Sequence, residues 1–423
     1  MTVDPAAQRW RSRPWAVLGV AIFIGYLIIV GYLHIDGRRS AARGEAPLLT
    51  DFTSLYAASM LVKQQPASDL YIPKEMYQAG LRGAQAAYGG NLSEKQARTI
   101  GFHPWMYPPT FILAAIPLAY LSYFSAWCAW LAVTAIPYLA ALRAILQGQS
   151  FWLIGLAAPP VFYNIMYGQT GFLTAGFIGL GLAWLVPRPM LAGICIGLAG
   201  VKPHFGILIP LALACGGHWR VFGAASATVI ATIIFSLIAF GDDPWFGFIG
   251  TSVYLVEGFG IGAYNFKPMV SIISTMRLAG GSIDSAWLAQ IASAAIMSLI
   301  VAWTWWCGRA RRDTLGLQSA ILCLTTLLAV PSVYLYDLML LVPAMAWIWL
   351  DMHQRGARVT EMVILIASFA SLHLIRPSAI YMDVQIGTLF VLTMLLLALH
   401  RYRGALASTD ANAPPVPSET VPG

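Results

Sequence analysis

Charged residues are scarce in this sequence. Asp, Glu, Lys and Arg together account for 10% of the 423 residues, whereas apolar residues account for 58%. Soluble domains carry about 25% charged residues, so this composition excludes an ordinary soluble globular protein. Apolar runs of about 17–25 residues, long enough to cross a bilayer, recur along the chain. The sequence therefore predicts an all-α polytopic membrane protein.

Motifs for metal, nucleotide or redox chemistry are also missing. The five cysteines lie in or beside apolar runs without a Cys-x-x-Cys pair, so we interpret them as small core residues. The sequence contains no Walker motif, dinucleotide fingerprint or nucleophile elbow. The formal net charge of +7 is spread over short loops and forms no basic, aromatic-interleaved patch. We therefore expect no nucleic-acid partner and no bound metal.

About twelve transmembrane helices are predicted from the apolar runs. They form a membrane domain at 15–403, preceded by a basic arm at 1–14 and followed by a disordered tail at 404–423. Basic residues in the short loops favour a topology with both termini in the cytoplasm. The predicted spans are 15–33, 107–121, 124–143, 151–167, 170–186, 190–214, 219–240, 283–307, 316–332, 335–350, 360–375 and 379–400.

Two large external loops, 34–105 and 241–282, separate groups of these spans. Both loops are expected to carry surface helices, because their apolar residues recur at helical spacing. These helices are predicted at 52–65, 73–88, 93–100 and 244–256. Pro203 interrupts the segment 190–214, which we interpret as one broken span because the downstream loop charges then agree with the topology. With this count, the polar turn at 164–169 faces the cytoplasm.

Asp51 opens the first predicted surface helix, close to where the first span leaves the membrane. The residues after it are apolar at helical spacing, so one face of this helix is apolar. Asp is a favoured N-cap residue, and one interpretation is that Asp51 only caps the helix. The other is that the helix holds a base at the lipid–water boundary. The pattern alone favours the cap.

Other polar residues stand where membrane proteins rarely carry them. A charge in hydrocarbon costs at least about 2.5–3.5 kcal/mol. Lys202, near the middle of its apolar run, is therefore either a snorkelling side chain or a cation beneath an anionic lipid headgroup. Asp337 is either a helix N-cap or a site residue. Gln169 belongs either to an ordinary interhelix turn or to a site, and Asn265 and Lys267 belong either to an interfacial anchor or to a site.

Several short motifs follow one another in a familiar order. Asp51 comes after the first span, and Leu70-Tyr71 follows in the same loop. Tyr107-Pro108-Pro109 opens the second predicted span, Gly168-Gln169 stands between later spans, and Lys202-Pro203 comes next. In this order the motifs resemble glycosyltransferase family 87. That family consists of polytopic enzymes of GT-C type and includes polyprenol-phosphate-mannose-dependent mannosyltransferases.

The resemblance implies a GT-C glycosyltransferase-like bundle in a bacterial inner (plasma) membrane, with its active site on the non-cytoplasmic face. The donor would be a sugar, expected to be mannose, on a polyprenyl phosphate. The acceptor would be a lipid-linked or cell-envelope glycan, and membrane lipids would surround both substrates. The lipid-linked donor is a co-substrate, and no cofactor is implied. The family's acid falls on Asp51, which would be the general base of an inverting transfer.

The other candidate residues divide by their expected ligand. The residues expected to contact the donor phosphate are Lys202, Lys267, His204 and Tyr107. The residues expected to contact the sugar or the acceptor are Asp337, Tyr336, Tyr56, Tyr71, Gln169 and Asn265. Some members of the family carry a histidine in the late segment where this chain has Tyr334-Leu335-Tyr336-Asp337. We therefore expect Asp337 to take over a hydrogen-bonding role there.

Two other functions fit parts of this pattern. One is a transporter or flippase for lipid-linked saccharides, and the other is a glycan ligase or polymerase on a similar fold. A transporter more often shows internal pseudo-symmetry and a site at the membrane midplane, and no internal repeat is visible in this sequence. The large external loops and a carboxylate at the rim favour the transferase over the transporter, while the ligase stays open.

Overall fold

The structure is a computed structural model that describes residues 5–45, 50–90, 92–100, 102–147 and 150–410. These residues form nineteen α-helices, connected by turns and short 3₁₀ helices, and one isolated antiparallel β-bridge. The α-helices are α1 Pro5–Ala42, α2 Asp51–Gln64, α3 Pro73–Tyr88, α4 Glu94–Thr99, α5 Pro109–Ala115, α6 Tyr123–Ile145, α7 Pro159–Tyr167, α8 Gly171–Ala183, α9 Pro189–Leu198, α10 Ile209–Cys215, α11 Trp219–Phe240, α12 Asp243–Gly260, α13 Ile272–Leu278, α14 Ile283–Cys307, α15 Leu315–Ala329, α16 Leu341–Arg355, α17 Val359–Ser371, α18 Ile375–Tyr381 and α19 Gly387–Asp410. The 3₁₀ helices are Ala67–Tyr71, Ile116–Tyr120, Ser150–Ala157, Ala199–Val201, Pro203–Gly206, Arg312–Thr314, Asp337–Leu340 and Leu372–Leu374.

Six helices of the described chain are long and apolar enough to cross a membrane. They are Pro14–Ala42, Tyr123–Ile145, Trp219–Phe240, Ile283–Cys307, Val359–Tyr381 and Gly387–Ala407. Four shorter apolar helices are Pro109–Tyr120, Gly171–Ala183, Pro189–Val201 and Pro203–Cys215. The fold agrees with the multi-pass membrane protein that the composition predicts, whereas the count of about twelve spans stays a prediction.

Helices stand at all four positions predicted for surface helices, with limits close to those expected, whereas their external location stays a prediction. In the first loop, α2, α3 and α4 stand where 52–65, 73–88 and 93–100 are predicted, and α12 covers 244–256. Local chemistry explains two of the starts. Pro73 occupies the first turn of α3, where its missing amide N–H costs nothing, and Ser93 forms a capping box with Gln96 before α4.

The two ends of the membrane domain extend beyond the predicted limits. α1 starts at Pro5, inside the predicted basic arm, and continues to Ala42. α19 continues to Asp410, so residues 404–410 are helical and the predicted start of the tail is wrong. The remaining parts of the arm and tail, 1–4 and 411–423, lie outside the described residues.

The predicted span 107–121 does not cross the bundle. Its first residue, Tyr107, and the first residue of α2, Asp51, contact the same side-chain amide, that of Gln169. The carbonyl of its last residue accepts a hydrogen bond from the Tyr56 hydroxyl of α2 at 2.9 Å. Asp51 and Tyr56 are about 7.5 Å apart along the helix axis, far less than the bilayer core of about 30 Å. Both ends of the segment therefore lie at one face.

This correction also reverses the position of the polar turn 164–169. The sequence-based topology puts the turn on the opposite side from Asp51, but Gln169 Nε2 donates to Asp51 Oδ2 at 2.9 Å. The prediction failed because hydropathy counted the short apolar segment before α6 as a crossing. We name the end of the bundle that carries Asp51 and Gln169 the site face.

The segment 190–214, predicted as one broken span, consists of two short arms that run in opposite directions. Gly193 of α9 packs against Ala224 of α11, and Gly197 packs one turn further along, against Thr228. Because both pairs advance in the same direction, α9 and α11 are parallel, and the chain between them has to turn back. The reversal begins where α9 ends. The two glycines allow the close approach of the helices, because a Cβ on either would collide with α11.

Ion pairs join the helices at the other end of the bundle, which we name the opposite face. Arg401 of α19 contacts Asp351 of α16 at 2.5 Å and Glu361 of α17 at 2.8 Å. Arg355, at the end of α16, contacts Asp313 at 2.8 Å. Along α16, Asp351 and Arg355 lie about 15 Å and about 21 Å from the first residue of the helix. The basic helix ends that the sequence assigns to the cytoplasm thus gather at the opposite face. The cytoplasmic location of this face stays a prediction.

Candidate active site

Asp51 is the first residue of α2, and its side chain does not cap the helix. Thr50 has the extended backbone of an N-cap residue, and no side-chain cap bond is made there. The following residues Phe52 and Leu55 are buried, so α2 is packed on the bundle and carries Asp51 at its rim. The interpretation that Asp51 only caps its helix is therefore wrong.

A chain of hydrogen bonds holds the Asp51 carboxyl group in one orientation. The Tyr71 hydroxyl donates to the Tyr107 carbonyl at 2.8 Å, and the Tyr107 hydroxyl donates to Gln169 Oε1 at 2.7 Å. The Thr170 amide also donates to Gln169 Oε1, at 3.1 Å. Two donors on Oε1 leave the Gln169 Nε2 group to donate to Asp51 Oδ2, at 2.9 Å. Asp51 Oδ2 is therefore an acceptor, which favours the ionised carboxylate.

Burial raises the pKa of the Asp51 carboxyl group above its ordinary value. The Gln169 hydrogen bond and the nearby His103 and Lys202 side chains lower this pKa, while the negative charge of Asp337 raises it. A cleft of about 40 Å³, lined by residues of α2 and α3, opens beside the carboxyl group. A carboxylate of raised pKa next to an accessible cleft is suited to accept a proton.

Lys202 and Asp337 form a buried ion pair at the same face. Lys202 Nζ lies 2.6 Å from Asp337 Oδ1, and the two side chains are only 7% and 2% exposed. The other carboxylate oxygen of Asp337 accepts the Tyr334 amide at 3.0 Å. Lys202 Nζ also lies 4.7 Å from the centre of the Tyr336 ring. The snorkelling interpretation of Lys202 is therefore wrong, because its charge is paired inside the protein.

Three tyrosines lie together on one side of this charged group. The rings of Tyr334 and Tyr336 stack at 5.6 Å, and the Tyr336 ring lies 6.1 Å from that of Tyr167. The charge of Asp51 acts on all three hydroxyls. Within the described chain, none of these hydroxyls makes a hydrogen bond to the protein. Aromatic faces with available hydroxyls are suited to contact a polar ring such as a sugar.

The structure does not bring every predicted site residue into this cluster. Lys267 pairs with Asp383 at 2.8 Å, with side chains 39% and 62% exposed, and Asn265 Oδ1 accepts the backbone amide of Lys267. Tyr56 points to the turn before α6. His204 packs beside Phe205, with ring centres 4.6 Å apart, close enough to Lys202 to be affected by its charge. Tyr71 reaches the cluster only through the hydrogen bond of its hydroxyl group to the Tyr107 carbonyl.

Arg376 of α18 is a residue of this region that the sequence-based assignment missed. Its guanidinium group lies over the Tyr167 ring at 5.8 Å from the ring centre. The sequence did point to Arg376, because a charged residue inside a long apolar stretch calls for a functional role. It was overlooked because 360–375 and 379–400 were assigned as two spans, which left Arg376 in the turn between them.

Gly168 gives the turn before Gln169 its shape. It ends α7 with a positive φ of 61°, and a Cβ there would lie 2.5 Å from Phe52 Cβ. We predict that Gly168→Ala destabilises the protein by more than the roughly 1–2 kcal/mol of a left-handed alanine, because α2 has to shift as well. The unfolding temperature in detergent measures this effect.

Gly217→Ala is the matched control for this prediction. Gly217 also has a positive φ, of 71°, but nothing lies within 4 Å of the Cβ position. The control should therefore show only the backbone strain. An equal loss of stability in both variants would contradict the packing of Gly168 against α2.

The fold and this cluster define a multi-pass membrane protein with a candidate active site at one rim of a helical bundle. The model of glycosyltransferase family 87 matches residues 105–331, more than half of the chain. The chain therefore belongs to glycosyltransferase family 87 and is a membrane glycosyltransferase. Comparison with curated proteins and with solved structures found no match.

The matched range contains Tyr107, Gln169 and Lys202. Asp51 and Asp337 lie outside it, and the contacts above join them to the matched residues. A GT-C type of bundle is consistent with the family. Across the described ranges, no group of three or more His, Cys, Asp or Glu residues could hold a metal ion. The expected absence of a cofactor stays a prediction.

Proposed function

We propose that this glycosyltransferase moves a sugar, expected to be mannose, from a polyprenyl phosphate to a lipid-linked or cell-envelope glycan. The reaction would occur at the site face, which we assign to the non-cytoplasmic side of a bacterial inner membrane. The proposal depends on one observation, the half-buried Asp51 carboxyl group beside a cleft at the rim, with one oxygen held by Gln169. A lipid-borne donor would reach such a rim from the membrane.

Asp51 is the general base in this proposal. Asp51 Oδ2 stays hydrogen-bonded to Gln169, which leaves Oδ1 to accept the proton of the acceptor hydroxyl. The acceptor oxygen forms a bond with the anomeric carbon while the bond from that carbon to the phosphate oxygen breaks. The electron pair of the broken bond leaves with the polyprenyl phosphate, and the proton stays on Asp51. Attack from the face opposite the leaving group inverts the anomeric centre.

Lys202 and Asp337 support the base in this arrangement. Because Asp337 already pairs with Lys202 at 2.6 Å, we assign Lys202 to the acceptor side, where its charge favours the ionised form of Asp51. This differs from the donor-phosphate role that the sequence suggests for Lys202. Tyr334 and Tyr336 would provide ring faces and hydroxyls for the sugar.

We predict that Gln169→Leu shifts the pH dependence of transfer. The Gln169 hydrogen bond lowers the pKa of Asp51, so removing the bond raises this pKa further. The reaction needs the ionised carboxylate, and kcat/KM falls as pH drops through the pKa of Asp51. The acid limb of the profile should therefore move to higher pH, with about a tenfold or larger loss on the acid side.

Gln354→Leu makes the same side-chain change at an exposed position of α16 on the opposite face and should leave the pH profile unchanged. A Gln169→Leu profile with a lower maximum but an unmoved acid limb would contradict the role of this hydrogen bond in ionising Asp51.

The donor class is tested by incubating membranes that contain the protein with radiolabelled polyprenyl-phosphate mannose. Label should move into the lipid-linked or envelope glycan fraction only when the protein is present. A parallel reaction with radiolabelled GDP-mannose, in membranes unable to make the lipid donor, should give no transfer. Transfer from the nucleotide sugar alone would overturn the proposed donor.

A further inference from the structure

Arg376 lies near the end of a candidate membrane-spanning helix, and no acidic residue of the described chain pairs with it. It is half-buried on α18, in the candidate span Val359–Tyr381. Its guanidinium group lies over the Tyr167 ring, and its charge also acts on Tyr163. Within the described residues it makes neither an ion pair nor a hydrogen bond. A charge in such a helix is costly and calls for a ligand or a functional role.

Tyr167 connects Arg376 to the tyrosines near the proposed base. The charges of Arg376 and Asp51 both act on the Tyr167 hydroxyl, and its ring faces Tyr336 at 6.1 Å. Lys202 lies on the side of Asp51, and its charge is paired with Asp337. Arg376 therefore has its hydrogen-bond donors available among the described residues, whereas the ammonium group of Lys202 is paired.

An inverting displacement places the base and the leaving group on opposite sides of the anomeric carbon. The cation that binds the leaving phosphate should then be separated from the base by the width of a sugar. Arg376 is suited to this role because it lies over Tyr167 without an acidic partner among the described residues, whereas Lys202 acts directly on Asp51 and is already paired with Asp337. A guanidinium group also fits a phosphate monoester with two parallel hydrogen bonds.

We propose that Arg376 binds the phosphate of the lipid donor and stabilises it as the leaving group. This inference depends on the proposed lipid-phosphate donor. The probes are farnesyl phosphate and farnesol, which share a short isoprenoid chain and differ only in the phosphate. Their affinities are measured by calorimetric titration of the full-length protein in detergent. The wild type should prefer farnesyl phosphate by about 10- to 100-fold, the range of one charge-assisted contact.

Arg376→Gln should reduce this preference to about onefold. Arg188→Gln is the matched control, because Arg188 also lies over an aromatic ring, that of Trp184 at 5.4 Å, but away from this cluster. It should retain the wild-type preference. If Arg376→Gln lowers the unfolding temperature too far for titration, Arg376→Lys replaces it. The Lys variant keeps the charge but loses the two-pronged fork, so its preference should fall severalfold.

The outcomes separate this inference from the proposed function. A wild-type protein that does not distinguish farnesyl phosphate from farnesol would overturn the lipid-phosphate donor itself. A wild type that discriminates, together with Arg376 variants that discriminate equally well, would overturn only the role of Arg376. Dihexanoyl phosphatidylglycerol forms a third arm. Binding of this lipid as tight as that of farnesyl phosphate would make the position a general headgroup contact and would also overturn the inference.

Discussion

Asp51→Asn is expected to lower the rate of sugar transfer by about 10²- to 10⁴-fold, the contribution of a positioned general base. Asn keeps the size of the side chain and can still accept a hydrogen bond from Gln169 through its amide oxygen. It cannot take a proton from the acceptor hydroxyl. The loss should therefore appear in kcat, measured with radiolabelled lipid donor, while the unfolding temperature stays close to that of the wild type.

Asp69→Asn is the control for this experiment. Asp69 lies in the same loop, in the 3₁₀ helix Ala67–Tyr71, and is half-buried. It is not part of the hydrogen-bond chain that ends at Asp51, so its replacement should leave transfer within about twofold of the wild type. Equal rates for Asp51→Asn and the wild type would remove Asp51 from the chemistry and, with it, the proposed mechanism.

The buried pair of Lys202 and Asp337 gives the second large expected effect. Lys202→Met leaves the Asp337 carboxylate buried without its cation, and Asp337→Asn leaves the Lys202 ammonium without its anion. Each single variant should lose about 3–5 kcal/mol of stability, because an uncompensated buried charge is costly. The double variant removes both charges, so it should recover most of this stability. Chemical unfolding in detergent measures the three values.

Activity separates the structural and chemical roles of this pair. We expect the double variant to fold but to transfer sugar more slowly than the wild type, because the Lys202 charge lowers the pKa of Asp51 more than the Asp337 charge raises it, and both are removed. Arg98→Met is the control, because the Arg98–Glu94 pair is 77% and 81% exposed and such pairs contribute little. If both single variants are as stable as the wild type, the pair is not buried from water as the structure describes.

Local patterns in the sequence were sufficient for the class of protein and for several elements. The scarcity of charge indicated a membrane protein, and helical periodicity placed α2 and α3 within a residue or two of their limits. The chemistry of proline marked the break at Pro203. These predictions succeeded because each depends on residues that are neighbours along the chain, where helix geometry alone relates them.

The direction in which each segment runs was decided by packing between distant segments. Hydropathy measures how apolar a segment is, and it does not show whether both of its ends lie at the same face. The segment 107–121 is apolar but returns to α2, and the segment 190–214 reverses halfway. Both errors concern short helices, for which burial against protein replaces burial in lipid.

The tertiary structure also decided which residues lie together in the site. Asp51 was a sequence candidate, but its contact with Gln169 joins residues 118 positions apart, and the Lys202–Asp337 pair joins residues 135 positions apart. Sequence alone could single out these polar residues, because charges in apolar surroundings are costly wherever they occur. The pairing of these charges depended on contacts that form only when the helices pack. The same contacts left Arg376 with its donors available beside Tyr167.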